Sequence, residues 1–120
     1  MAELQIRGAE GSSGATILHL AGPLTLNTLF EFQDLVRKGG HANGLIIVLA
    51  EVPYMDSAGL GVILGAYVSC QRHGYKFALA DVSERVLTLM KVAKVHTLVP
   101  RFATLEAAER HFAAAKSEAV

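Results

Sequence analysis

Tryptophan is missing from this 120-residue chain, and cysteine occurs once, at Cys70. A lone cysteine excludes an internal disulfide framework, and its setting in an apolar helical stretch predicts a small buried residue rather than a reactive thiol. Charge of neither sign is in excess: eleven Lys+Arg match eleven Asp+Glu. That balance argues against a protein held to nucleic acid by charge and leaves partner contacts to shape and local charge. Long apolar runs are also lacking. The longest, Leu45 to Ala50, is a strand's length and far short of the roughly 20 residues a bilayer crossing needs. Met1-Ala2-Glu3-Leu4-Gln5-Ile6-Arg7 has neither the basic nor the apolar region of a signal peptide, so a cytoplasmic location is expected. Repeats, linkers and low-complexity segments are absent. What remains is strongly apolar, 52% of residues with a mean hydropathy of +0.36. That composition disfavours disorder and predicts one domain over 1–120 with a substantial core.

The chain alternates strand and helix patterns. Leu4-Gln5-Ile6-Arg7 reads as a half-buried strand, Gly8 to Gly14 as a turn cluster, and Ala15 to Ala21 as the returning strand. After Gly22-Pro23, the residues Leu26, Leu29, Phe30, Leu35 and Val36 fall on roughly one helical face. Thr28-Leu29-Phe30-Glu31 has the form of a capping box, and Gly39-Gly40 closes the helix. Leu45 to Leu49 has no polar interruption, as in a central strand covered on both faces. A second helix carries Leu60, Ile63, Leu64, Tyr67 and Val68 as its stripe, ending near His73-Gly74. Lys76 to Ala80 is a further strand. Ser83 caps a third helix with Val86, Leu87, Met90 and Ala93 inward. Thr97-Leu98-Val99 reads as a short extended piece closed by Pro100, and Thr104 caps a last helix through about Lys116, with Leu105, Ala108 and Phe112 inward. The order β-β-α-β-α-β-α-β-α implies an α/β sheet with mostly parallel crossovers.

The most informative stretch is Met55-Asp56-Ser57-Ala58-Gly59-Leu60-Gly61, where the apolar strand gives way to the second helix. A serine at such a turn is held in the open, close to the unpaired N–H groups of a helix start. As a hydrolase nucleophile it would sit in a Gly-x-Ser-x-Gly elbow, but Met55 occupies the first glycine's position. The five histidines, His19, His41, His73, His96 and His111, lie in no local triad motif. Gly59, Gly61 and Gly65 are spaced one residue too far for a dinucleotide fingerprint, and no Lys-Ser or Lys-Thr follows as in a P-loop. Gly59 and Gly61 read instead as letting a helix start pack closely. Asp56 has no His or Cys at ligand spacing, so neither a metal nor a cofactor is implied. Two readings stay open on spacing alone: Ser57 as a helix N-cap, and Ser57 as a phosphoacceptor with room supplied by Ala58 and Gly59.

Val52-Pro53-Tyr54-Met55-Asp56-Ser57-Ala58-Gly59-Leu60-Gly61-Val62-Ile63-Leu64 closely resembles the phosphorylation segment of STAS domains, and among them the bacterial anti-sigma factor antagonists. Leu20-Ala21-Gly22-Pro23-Leu24 and Thr28 resemble the family's turn before the first helix. Asp81 to Val95 and Phe102 to Ala108 resemble its later segments. The resemblance implies a small mixed β-sheet with about four helices largely on one side. It also implies a non-enzymatic switch: the unphosphorylated form binds an anti-sigma factor that is also an ATP-binding serine kinase, freeing the sigma factor. Phosphorylation of the serine matching Ser57 ends binding, and a serine phosphatase resets it. Thr25, Leu26, Asn27, Met55, Asp56, Ala58, Gly59 and Leu60 are then the expected partner surface of a monomer or weak dimer. Two positions depart from the family: Thr25, where an acidic residue is usual, and Val48, where an Asp is frequent. A scaffold subunit of another signalling or transport complex shares the fold, and a small serine hydrolase is the alternative from another class.

Overall fold

The computed structural model describes residues 3–118. Nine elements follow in order: β1 (Gln5–Glu10), β2 (Thr16–Ala21), α1 (Phe30–Lys38), β3 (Leu45–Glu51), α2 (Ser57–Arg72), β4 (Phe77–Ala80), α3 (Glu84–Val92), β5 (Arg101–Phe102) and α4 (Leu105–Glu118). The strands form one five-stranded sheet in the order β1-β2-β3-β4-β5. β1 runs antiparallel to β2, and every other pairing is parallel. The sheet is therefore mixed, as expected.

β3 lies in the middle, and its uninterrupted apolar run feeds two layers. Leu45, Ile47 and Leu49 join Phe32 of α1, Ile63 of α2 and Met90 of α3. Ile46 and Val48 point the other way, with Ala78 and Ala80, onto Ala108 and Phe112 of α4. Alternation along one strand thus places three helices on one face and α4 on the other. Val48, one of the two positions at which the resemblance is imperfect, is packed in the α4 layer, a setting that favours an apolar side chain.

The hairpin is longer than its glycines predict. β1 continues through Gly8, Ala9 and Glu10, which pair with Leu18, Ile17 and Thr16. Only Gly11 to Gly14 turn, closed by the Gly11 N–H on the Ala15 carbonyl at 2.9 Å. Gly8 and Ala9 are exposed on an edge strand, where little packing is asked of them.

The phase of α1 also differs. Leu29 and Phe32 are buried and Val36 half-buried, a true helical stripe. Phe30 and Leu26, read as part of that face, are each 59% exposed. One residue is about 100° of helix, so Phe30 beside Leu29 is turned away from the sheet. Burying Phe32 contributes roughly 1.5–3 kcal/mol. The capping box does not form either: Leu29 takes the N-cap position with no side-chain cap bond. Gly39 ends the helix at φ 79°, as its sequence position predicts.

In α2 the inward residues include Leu60, Ile63, Ala66 and Cys70, whereas Val68 is exposed. Ser83 caps α3 through the Val86 N–H, with Val86 and Met90 buried and Ala93 exposed. Thr97 to Val99 is a turn, not a strand. The Leu98 N–H reaches back to the Val95 carbonyl at 3.0 Å, and pairing begins only past Pro100, at Arg101. Thr104 caps α4 through the Ala107 N–H at 3.0 Å.

Candidate functional site

Beyond β3 the chain crosses toward the β2–α1 loop. Met55 pairs with Leu24 in an isolated parallel bridge. The Leu24 N–H donates to the Tyr54 carbonyl at 3.1 Å, and the Asp56 N–H donates to the Leu24 carbonyl at 3.2 Å. Asp56 is extended, at φ −104° and ψ −177°, and is the N-cap of α2. One carboxylate oxygen accepts the Gly59 N–H at 2.9 Å. The other accepts the Leu26 N–H at 3.0 Å. Hydrogen bonding to Gly59 first, then to Leu26 and neighbouring amides, outweighs partial desolvation and holds the carboxyl below the usual aspartate range. Asp56 is therefore an anion that caps one element and tethers another.

This arrangement settles which residue caps α2. The capping role belongs to Asp56, and Ser57 is the first residue of α2, exposed to solvent. Its hydroxyl is not consumed in ending the helix. The first N–H groups of α2 face the same end, where added negative charge is favoured.

The loop opposite is braced by Thr28. Its hydroxyl accepts the Thr25 N–H at 2.9 Å and donates to the Pro23 carbonyl at 2.8 Å. Thr25 is half-buried, and Leu26 and Asn27 are exposed. Gly59 packs directly against this loop: a Cβ there would lie 2.3 Å from the Leu24 carbonyl oxygen. Only glycine fits that approach. Gly61, read as serving the same purpose, faces open space.

Thr25, Leu26, Asn27, Asp56, Ser57 and Ala58 thus come together at the surface. Met55, Gly59 and Leu60 do not: Met55 is 8% exposed, Leu60 is 4% exposed, and Gly59 is buried. Buried, they support the site from beneath. Two residues were missed. Phe30, at the start of α1, is exposed, and Tyr54 is exposed with the Arg85 guanidinium 5.5 Å from its ring centre. Arg85 has no local sequence signal, because α3 reaches Tyr54 only through the fold.

Among the described residues, no cluster of three or more His, Cys, Asp or Glu side chains is placed to hold a metal ion. Nor does any hydrogen bond join a histidine to Ser57. Rings of His41 and His73 instead contact the carbonyls of Val36 and Ser69. No helix among the described residues is long and apolar enough to cross a membrane.

The sequence profile of the STAS domain matches residues 7–108, from β1 into α4. The chain belongs to the STAS domain family. Over 98 residues this STAS domain is 30% identical to an anti-sigma F factor antagonist of Paenibacillus polymyxa, covering 76% of this chain and 80% of that one. It is 36% identical over 84 residues to an anti-sigma-B factor antagonist of Listeria monocytogenes, covering 68% and 74%. In fold it is similar to the anti-sigma factor antagonist SpoIIAA in its unphosphorylated form, with a TM-score of 0.71 at 16% identity over 88% of this chain and 95% of that one. The phosphorylated form of the Bacillus protein gives 0.69 at 16% identity, over 88% and 98%. The five-stranded mixed sheet and four helices agree with the fold that the sequence resemblance implies.

Proposed function

We propose that this STAS domain is a cytoplasmic, non-enzymatic anti-sigma factor antagonist switched by phosphorylation of Ser57. The carrying observation is that Asp56 takes the N-cap, which leaves Ser57 exposed as the first residue of α2. Two further findings support the reading: relatives bearing that role in their names, and a solved structure of the same fold in a phosphorylated form.

In the unphosphorylated state, Leu26, Asn27, Ala58 and the exposed Phe30 dock on an anti-sigma factor that is also an ATP-binding serine kinase. Binding withdraws that protein from its sigma factor. The kinase then directs the Ser57 oxygen at the γ-phosphorus of ATP. The new O–P bond forms as the bond to ADP breaks, and the hydroxyl proton leaves to base or solvent. The product carries about −1.5 to −2 charges at neutral pH. Helix N–H groups tolerate that charge, so the fold persists. A partner surface packed over Leu26 does not, because it would have to desolvate a phosphate lying beside the Asp56 carboxylate. A serine phosphatase restores the hydroxyl.

The test is incubation with the cognate kinase and ATP, followed by intact mass and site mapping. One phosphate on Ser57 is expected. Ser57→Ala should keep kinase binding while escaping modification, and Ser57→Asp should bind more weakly. An unmodified Ser57, or equal affinity of the two variants, would overturn the switch.

A further inference from the structure

Net neutrality conceals an uneven spread of charge. From Arg85 to Leu105 the chain carries Arg85, Lys91, Lys94 and Arg101 and no Asp or Glu. The overall balance of eleven cations and eleven acids therefore leaves the remainder acidic. Three of those cations lie where α3 ends and the chain turns into β5. Lys91 is in the last turn of α3, Lys94 follows it, and the Arg101 Nε–H donates to the His96 carbonyl at 3.3 Å. In the same corner Val92 is 75% exposed and Leu98 is 52% exposed.

The end of α3 holds a lysine against the preference of its backbone. The Val95 N–H donates to the Met90 carbonyl at 2.9 Å, and the Lys94 N–H donates to the Lys91 carbonyl at 3.0 Å. That pair of bonds is the helix stop in which glycine is the usual left-handed residue. α1 ends on Gly39 at φ 79°, and α2 is followed by Gly74 at φ 73°. α3 is followed instead by Lys94, at φ 62°. A side chain is disfavoured in that conformation, so the position keeps its charge where glycine would be more stable.

The counterpart lies elsewhere on the molecule. Phe30, at the start of α1, is exposed, as are Glu31 beside it and Asp34 one turn further along the same face. Val68, the exposed apolar residue of α2, has no acid at such spacing. Phe30 follows the carboxyl end of β2, whereas Val92 and Lys94 precede the amino end of β5. β2 to β5 are parallel, so the two patches lie toward opposite edges of the sheet and cannot meet within one molecule.

We propose that the α3 corner of one copy of this chain docks on the start of α1 of a second copy. Phe30 seats against Val92 and Leu98, and the acids Glu31 and Asp34 meet Lys91 and Lys94. Complementary charge on the chain's own two patches is what selects a second copy as the occupant. A contact of this size is weak, with a dissociation constant of about 100 μM, and salt loosens it. Phe30 also belongs to the docking surface proposed above, but association of copies does not rest on that reading, and no outcome below involves Ser57.

The test is sedimentation equilibrium from about 10 μM to about 1 mM protein, at low salt and at about 0.5 M salt. The mass should rise above the monomer's with concentration at low salt and return to it at high salt. Lys91→Glu with Lys94→Glu, and Glu31→Lys with Asp34→Lys, should each weaken association at least about tenfold. All four positions are exposed, so both variants should fold. An equimolar mixture of the two should associate again. Lys94→Gly should raise the thermal midpoint yet weaken association, which separates the charge from the fold. A monomer at every concentration, association untouched by either reversal, or a mixture that stays monomeric would overturn the proposal. So would amide shifts at Val92 and Leu98 that appear with phosphatidylglycerol vesicles and not with unlabelled protein, since these would give the corner to a lipid surface.

Discussion

The Leu26 N–H donates to the Asp56 carboxylate across 3.0 Å, although 30 positions separate the two residues in the chain. The other oxygen of the same carboxylate holds the Gly59 N–H at 2.9 Å. One acidic side chain thus joins the loop before α1 to the start of α2. It does so beside the exposed serine, and the two segments meet there as one surface.

Asp56→Ala should remove both bonds and cost about 1–2 kcal/mol of stability, as loss of an N-cap does. Asp56→Asn should cost less, since an amide oxygen can still cap. The carboxyl is held below the usual aspartate range, with Gly59 the main cause. Its contribution is therefore complete above that range and is lost as the pH falls through the lowered value. Urea unfolding from neutral to strongly acidic pH should show the gap between wild type and Asp56→Ala closing only at the acidic end.

Gly59→Ala should destabilise by about 1–3 kcal/mol, because its methyl group would press on the Leu24 carbonyl and force the loop from α2. Gly61→Ala meets no neighbour and should stabilise by about 0.5–1 kcal/mol. Thermal unfolding of the pair is the check, and opposite signs are expected from residues two positions apart.

Leu26 and Phe30 are each 59% exposed, so Leu26→Glu and Phe30→Ala should leave stability within about 0.5 kcal/mol. Affinity for the proposed partner kinase should nevertheless fall by at least about 1 kcal/mol for each. Calorimetric titration alongside unfolding curves separates the two effects.

Cys70 is 3% exposed, and burial pushes its thiol up from the ordinary range. Alkylation at neutral pH should be very slow in the native protein and fast in denaturant. Mass spectrometry after a timed iodoacetamide pulse measures both.

Much of the architecture was legible before any coordinates. Gly22-Pro23, Gly39-Gly40 and His73-Gly74 punctuate the chain where elements end, and Leu45 to Leu49 announces a strand covered on both faces. Local ambiguity produced the misses. Leu29 and Phe30 are adjacent and both apolar, so composition could not say which faces the sheet; Phe32 and the sheet itself decide it. Thr28 and Ser57 both had the chemistry of caps. Tertiary contacts gave one to bracing Pro23 and Thr25, and left the other free because its neighbour Asp56 reaches Gly59 better. Arg85 near Tyr54 arises from elements distant in sequence, and no local pattern records it.

The close approach of Gly59 to Leu24 leaves no slack between the segments that display Ser57 and Leu26. Both are ordered before any partner arrives, so association need not spend entropy on arranging them. A partner that recognises one segment meets the other at a set spacing. The proposed discrimination between two states of the serine would then rest on a rigid template rather than on a loop that could move aside to accommodate an added group.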